Sequence, residues 1–110
     1  MKVVSSTRAN DRIRDIGRYW RRVTSQTRAL AITRDLVQRT KILGHFPPAF
    51  PILYHRATPP PPREFRVLWY KGYKIVYVVV EERSEVVVVD YWHSARNPNE
   101  LIDDLKSFVI

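Results

Sequence analysis

Apolar and polar positions repeat with two different periods along this chain, and the change of period divides it into a helical half and a sheet half. Lys2–Ser5 reads as a short first strand. From Thr7 onward, Ala9, Ile13, Ile16, Trp20 and Val23 recur at steps of four and three, the spacing of one helix face. Ser6 or Thr7 can cap that helix by accepting from an N–H left free in its first turn. The opposite face carries Arg8, Arg12, Arg14, Arg18, Arg21 and Arg22 against Asp11 and Asp15, which reads as a solvated cationic stripe. Thr24–Thr27 breaks the pattern, with Ser25 as a second cap. A longer helix then runs to about Leu43, with Ala29, Ile32, Leu36 and Leu43 on one stripe and Val37 beside it. Gly44 followed by Pro47 and Pro48 is a stop, because glycine accepts a left-handed closing residue and proline cannot continue. The expectation is an antiparallel helical hairpin.

Residues 47 to 62 hold seven of the eight prolines and predict an extended crossover along the surface, unable to donate ladder hydrogen bonds. Period-two runs follow. A three-residue loop with Gly72 in the left-handed position sets Trp69 opposite Tyr73 and Arg66 opposite Val76, since a two-residue loop would force Lys71 to positive φ. One face then holds Phe65, Val67, Trp69, Tyr73, Ile75, Tyr77 and Val79, suited to lie under the helices. The other holds Arg66, Leu68, Lys74, Val76, Val78 and Val80. With Glu82–Glu85 as a four-residue loop, His93 falls opposite Lys74, and Val87 and Val89 extend the valine strip. A slip of one residue at either turn inverts these faces. Asp90 falls on the helix-covered face, where it sits at a frayed margin or pairs with an arginine from the helices. Asn97-Pro98-Asn99-Glu100 starts a last short helix with Leu101, Ile102, Leu105 and Phe108 as its apolar stripe.

The 110 residues fit one domain, 1–110, of α+β class: a short N-terminal strand, a helical hairpin packed on an antiparallel sheet, and a short C-terminal helix. Lys and Arg number 19 against 11 acids, a formal charge of +8 that favours anionic partners such as nucleic acid, the ribosome or an acidic protein. The chain contains no cysteine, which excludes disulfides and thiolate metal sites, and its three histidines show no metal-ligand spacing. No metal and no other cofactor is expected. No apolar run approaches the roughly 20 residues of a membrane span, so a cytoplasmic protein without a membrane partner is the expectation.

The chemistry-bearing candidates gather at one end of the expected sheet: Arg66, Lys74, His93 and Arg96. Arginine and lysine there could clamp phosphates, and histidine could move a proton near neutrality. RNA cleavage through the 2′-hydroxyl needs an anion clamp and a general acid or base, so the set is sufficient in outline. A structural reading stands beside it, in which Arg96 pairs with the last helix, Lys74 is solvated and His93 merely ends a strand. Tyr91 shares the His93 face and is the one aromatic kept as a nucleic-acid-binding candidate; Trp69, Tyr73, Tyr77 and Trp92 read as core or cross-strand pairs.

The order of elements, together with Arg63-Glu64-Phe65-Arg66-Val67-Leu68, Gly72-Tyr73-Lys74-Ile75-Val76-Tyr77 and Trp92-His93-Ser94-Ala95-Arg96-Asn97-Pro98, resembles the RelE/ParE superfamily of bacterial type II toxins. The resemblance implies a growth-inhibiting toxin neutralised by a cognate acidic antitoxin. In the RelE branch, basic residues on the sheet cleave mRNA in the ribosome without metal. Lys74 stands where that branch has an arginine and Arg96 near its second, but Leu68 departs from the pattern by offering no further basic residue. The ParE branch poisons DNA gyrase without nuclease residues, and its His-then-Arg in the last strand is closer to Trp92-His93-Ser94-Ala95-Arg96. The resemblance therefore favours gyrase poisoning over ribosome-dependent RNA cleavage, with a non-toxic RNA-binding or interaction module as a third reading. It also implies an antitoxin folded along the toxin, for which the strip Val78, Val80, Val87 and Val89, expected to be exposed, is the antitoxin-binding candidate.

Overall fold

The computed structural model describes residues 1–45, 47–53 and 63–108. The first strand, β1 (Lys2–Ser5), leads into α1 (Thr7–Val23) and α2 (Gln26–Thr40). Ser6 and Ser25 cap the two helices by accepting from the backbone N–H of Ala9 and Arg28. The end of α2 tightens into a 3₁₀ turn over Lys41–Gly44. Gly44 does not take the expected left-handed closing conformation. It is needed for close approach, since a Cβ there would stand 2.5 Å from the carbonyl oxygen of Met1. The sheet continues with β2 (Phe65–Tyr70), β3 (Tyr73–Val80) and β4 (Glu85–His93), and α3 (Pro98–Lys106) closes the fold. Strand order is β1-β4-β3-β2, with β1 parallel to β4 and the other pairs antiparallel.

Part of the expected proline crossover is described and does bond. Pro47–Ala49 forms a short 3₁₀ turn, and residues 51–53 then run along the outer side of β2. Val67 donates to the Pro51 carbonyl at 2.9 Å and Leu53 donates to Phe65 at 2.7 Å. Residues 54–62, including Pro59–Pro62, lie outside the described residues.

The register differs from the sequence expectation at both turns. Lys71 and Gly72 form a two-residue loop with φ of 48° and 84°, so Tyr70 faces Tyr73 and Arg66 faces Tyr77. A lysine in the left-handed region is costly, but this one is held. Its ammonium lies 2.6 Å from Asp35 of α2 and 5.4 Å from the Tyr70 ring, while the Tyr70 hydroxyl donates to the same carboxylate at 2.8 Å. The second connection occupies residues 81–84, and a bulge between Val76 and Tyr77 leaves Val89 as the extra residue, which sets Lys74 opposite Trp92 and Tyr73 opposite His93.

That one-residue slip turns β2 over. Arg66 and Leu68 join the helix-hairpin side with Tyr73, Ile75, Tyr77, Val88 and Tyr91, beneath Ala9, Ile16 and Leu36. Phe65, Val76, Val78, Val80, Val87, Val89 and Trp92 form a second core on the opposite face, closed by Leu101 and Leu105 of α3. Phe108 completes it, meeting Phe65 edge-on at 6.0 Å. The strip Val78, Val80, Val87 and Val89 is therefore not the exposed surface the sequence suggested. None of the four is more than 6% exposed, because α3 lies across them. An aspartate there would bury an unpaired charge and undo the fold rather than test a docking surface.

The loop anchor makes a pH-dependent prediction. Lys71, first, and the Tyr70 hydroxyl, second, hold the Asp35 carboxyl below its ordinary value of 3.8. A carboxyl lowered by folding adds stability above its unfolded value and loses it as the pH falls through the folded one. Asp35→Asn is expected to lower the melting temperature at neutral pH, and the gap to wild type is expected to close below about 3.8. A gap that persists unchanged through that range would remove the electrostatic account.

Candidate functional site

The outer side of β4 is covered by β1 only as far as Val88, and beyond that point α1 takes over. Ser6 donates from its backbone to the Val88 carbonyl at 2.9 Å and from its hydroxyl to Val89 at 3.1 Å. The first turns of α1 consequently pass beside Asp90, whose side chain is fully buried. Arg8 donates to it through Nε and Nη2 at 3.0 and 2.9 Å, and Arg12 donates through Nε at 2.9 Å. The backbone N–H of Tyr91 adds a fourth bond at 2.8 Å. Arg8 also reaches Asp104 of α3 at 2.7 Å, so one guanidinium joins both helical layers to the sheet. Burial works against the Arg8 charge, but the bonds to Asp104 and Asp90 outweigh it and hold its pKa above the ordinary value. Asp90 thus takes the second course open to it from sequence, pairing with arginines of the helices. Arg8 and Arg12, read as part of a solvated face, are in fact structural.

Around this network lies a row of cations on aromatic rings. Trp69, Lys74 and Trp92 stand abreast across three strands. The Lys74 ammonium is 4.9 Å from the Trp69 ring centroid, and Trp92 has the Arg96 guanidinium at 3.8 Å and that of Arg12 at 5.5 Å. Such pairs contribute about 0.5–1 kcal/mol each when exposed and more when desolvated. Trp69, placed by sequence under the helices, is instead 58% exposed, because the slip in β2 carried it to the α3 side beyond the reach of that helix.

The four candidate catalytic residues do not converge. Arg66 is on the hairpin side, donating to the Phe50 carbonyl at 2.8 Å and to Glu64 at 3.4 Å. Lys74 is on the opposite face. His93 is exposed at the end of β4, edge-on to Tyr73 at 5.1 Å, and its Nδ1 accepts from the Ala95 backbone at 3.0 Å. In the neutral ring that bond leaves the proton on Nε2, so the solvent-facing nitrogen donates rather than acts as a base. Arg96 is 3.6 Å from Glu100 in α3, as the structural reading of that residue required. Lys74 and Arg96 share the Trp69–Trp92 row; Arg66 and His93 do not belong to it. Tyr91, the nucleic-acid-binding candidate, is buried beneath the helical hairpin and unavailable for stacking on a base. Its hydroxyl makes no hydrogen bond of normal geometry among the described residues, and burial, only partly offset by the neighbouring Thr40 side chain, pushes its pKa up to about 12.

Beside this end, α1 and the close of β4 frame an open groove of about 280 Å³, lined by Arg12, Tyr19, Tyr73, His93 and Arg96 among others. This surface is aromatic and cationic, with Asp15 as the one carboxylate among its lining residues, and is suited to binding.

A family model described as the ParE toxin of the type II toxin–antitoxin system, parDE, matches residues 3–98. The chain belongs to the ParE toxin family. A solved structure described as "Chromosomal ParDE TA system from P. aeruginosa" is similar with a TM-score of 0.68 at 15% identity, covering 84% of this chain and 95% of that one. At that identity the likeness shows a shared α+β fold. No curated protein sequence matches the chain. Within the ParE family frame, the matched segment runs from Val3 in β1 through the helical hairpin and the other three strands, and ends at Pro98, the first residue of α3. Among the described residues, no helix is long and apolar enough to cross a membrane.

The buried network has a measurable weight. Asp90→Ala removes the carboxylate shared by Arg8 and Arg12, leaving Arg8 with Asp104 and Arg12 without that partner, and it is expected to destabilise the fold by about 1.5–3 kcal/mol in denaturant unfolding. Trp69→Ala, at an exposed position, is expected to change stability by roughly 0.5–1 kcal/mol, the size of an exposed cation–π pair. A small loss at Asp90 would show that the network is dispensable.

Proposed function

We propose that this ParE-family toxin inhibits growth by binding and poisoning DNA gyrase, and that a cognate acidic antitoxin neutralises it. The observation that carries the reading is the dispersal of the basic residues. Arg66 and Lys74 lie on opposite faces of the sheet, and the exposed nitrogen of His93 is a donor. A nuclease that works without metal needs its anion clamp and its base around one phosphate. A poison that traps a protein–DNA complex needs a complementary surface. The cationic, aromatic end formed by Lys74, Trp69, Trp92 and Arg96, together with a net charge of +8, suits a partner that carries DNA. Action on gyrase places the toxin in the bacterial cytoplasm.

Ribosome-dependent mRNA cleavage is the competing reading, favoured by the exposed pairing of Lys74 with Trp69, which offers a phosphate contact beside a stacking ring. Induced expression in bacteria separates the two. Gyrase poisoning predicts arrested replication with an SOS response, and in purified reactions an accumulation of cleaved DNA that depends on gyrase. The double variant His93→Ala, Lys74→Ala is expected to weaken this poisoning only through the lost Lys74 contact, and to spare it more than it would spare RNA cleavage. Codon-positioned mRNA cuts that vanish in the double variant would establish the ribosomal target instead. Normal growth under strong expression without antitoxin would leave a non-toxic interaction module.

A further inference from the structure

The groove between α1 and the end of β4 gathers hydrogen-bond donors left over from the fold. Arg12, Ile16 and Tyr19 follow one another at four- and three-residue steps, so α1 turns all three towards it. Ile16 and Tyr73, both nearly buried, make the floor, and His93 and Arg96 stand across from α1. Arg12 gives only its Nε to Asp90; its two terminal nitrogens make no hydrogen bond among the described residues. Arg96 is packed on the Trp92 ring at 3.8 Å, and the Glu100 carboxylate stands 3.6 Å from it, beyond hydrogen-bond length. The neutral His93 ring adds its Nε2–H. Asp15, the carboxylate in the lining, already accepts from Arg18 at 2.8 Å.

Tyr19 is an independent pointer. It is 48% exposed, so the core makes little use of it, yet its ring is held in place. Trp20 meets it edge-on at 5.3 Å and the Arg22 guanidinium lies 5.8 Å from its centroid. The result is an aromatic wall beside two guanidinium groups, one fixed by Asp90 and the other by Trp92.

We propose that this groove binds a single nucleotide unit, with its phosphate on Arg12 and Arg96 and its base against Tyr19 above the floor of Ile16 and Tyr73. Guanidinium forks match phosphate oxygens, and any base can lie on an aromatic ring. Inorganic phosphate would leave the aromatic wall unmatched, as would the side chain of an acidic peptide. An uncharged aromatic molecule would leave the guanidinium groups unmatched. Size limits the occupant too. At about 280 Å³ the groove falls at the small end of ligand sites, which run from about 300 to 1,000 Å³ and hold drug-sized molecules, so it admits one nucleotide rather than a run of them. The nucleotide can be free or an unpaired position in a DNA strand, since both present the same phosphate and base. The assignment holds whichever target the toxin has.

The test titrates the full-length toxin, by NMR and calorimetry, with deoxyadenosine monophosphate, deoxyadenosine, inorganic phosphate and a short oligodeoxyadenylate, single-stranded or paired with its complement. The monophosphate is expected to bind saturably, to shift the Tyr19 and Arg96 resonances, and to bind about tenfold or more tighter than the nucleoside or the bare phosphate. Arg96→Ala is expected to weaken it about tenfold or more, and Tyr19→Ala about fivefold or more. Arg83→Ala removes the same charge at the far end of β4, roughly 30 Å along the strand and several screening lengths away, and is expected to weaken it less than about twofold. Unchanged melting temperatures would show that the variants fold, and Tyr19→Ala decides alone if Arg96→Ala does not. Tighter binding of the single strand, with the same losses in the variants, makes a DNA strand the source; tighter binding of the monophosphate makes it the free nucleotide. Bare phosphate that binds as well as the monophosphate overturns the site, as does equal weakening by Arg96→Ala and Arg83→Ala. Duplex and single strand binding equally well, with Tyr19→Ala neutral, overturns it as well, because backbone charge would then suffice. No saturable binding at millimolar monophosphate, with none by the single strand that Tyr19→Ala weakens, ends it outright.

Discussion

The carboxylate of Asp90 is the fixed point about which the layers are arranged. It sits in a strand otherwise composed of valines and aromatics, fully removed from water, and a bare charge there would be prohibitive. Its oxygens are satisfied only when Arg8 and Arg12, one turn apart on α1, lie along the part of β4 that β1 leaves uncovered. Arg8 then extends the link to Asp104, which brings α3 to the other face. Hydrophobic burial would accept many angles between a helix and a sheet. Four directed bonds to one carboxylate accept few, which is how a buried ion network specifies geometry even where its net contribution to stability is modest.

Closure of the second face by α3 has the largest functional consequence. Valines that would otherwise form an open apolar strip become a second core, shared with Leu101, Leu105 and Phe108. Of the large apolar side chains left exposed, Tyr19, Val23, Leu30 and Val37 lie on the helical hairpin, and Ile52 and Trp69 lie outside it. The two surfaces differ in kind. One, at the end of the sheet, is aromatic with cations set on the rings. The other, on the hairpin, is an apolar floor with a cationic rim.

The α+β class, the caps at Ser25 and Asn97, the first cap as either Ser6 or Thr7, the three helices and the sheet strands were all legible in the sequence. Each follows from local rules: a 3.6-residue or two-residue repeat, and a side-chain oxygen that accepts a helix-terminal N–H. Membership of the toxin superfamily was legible too, carried by the spacing of the third strand and the Trp92–Pro98 segment. The pairing of strands was not. In β2, Phe65, Val67 and Leu68 are all buried, so both faces of the strand are apolar and the alternation that normally declares a register is absent. The two-residue turn that goes with the observed register is accompanied by an ion pair between Lys71 and Asp35, which are 36 residues apart, and no local pattern signals such a contact.

That single residue of register decided the candidate site. Composition alone determined that this chain is basic, free of thiol chemistry and able to fill one domain, and periodicity determined its elements. Which cations share a surface was settled only in three dimensions. Arg66 and Lys74 went to opposite faces and Trp69 came into the open, because in a pleated sheet a shift of one position exchanges every side chain between its two sides.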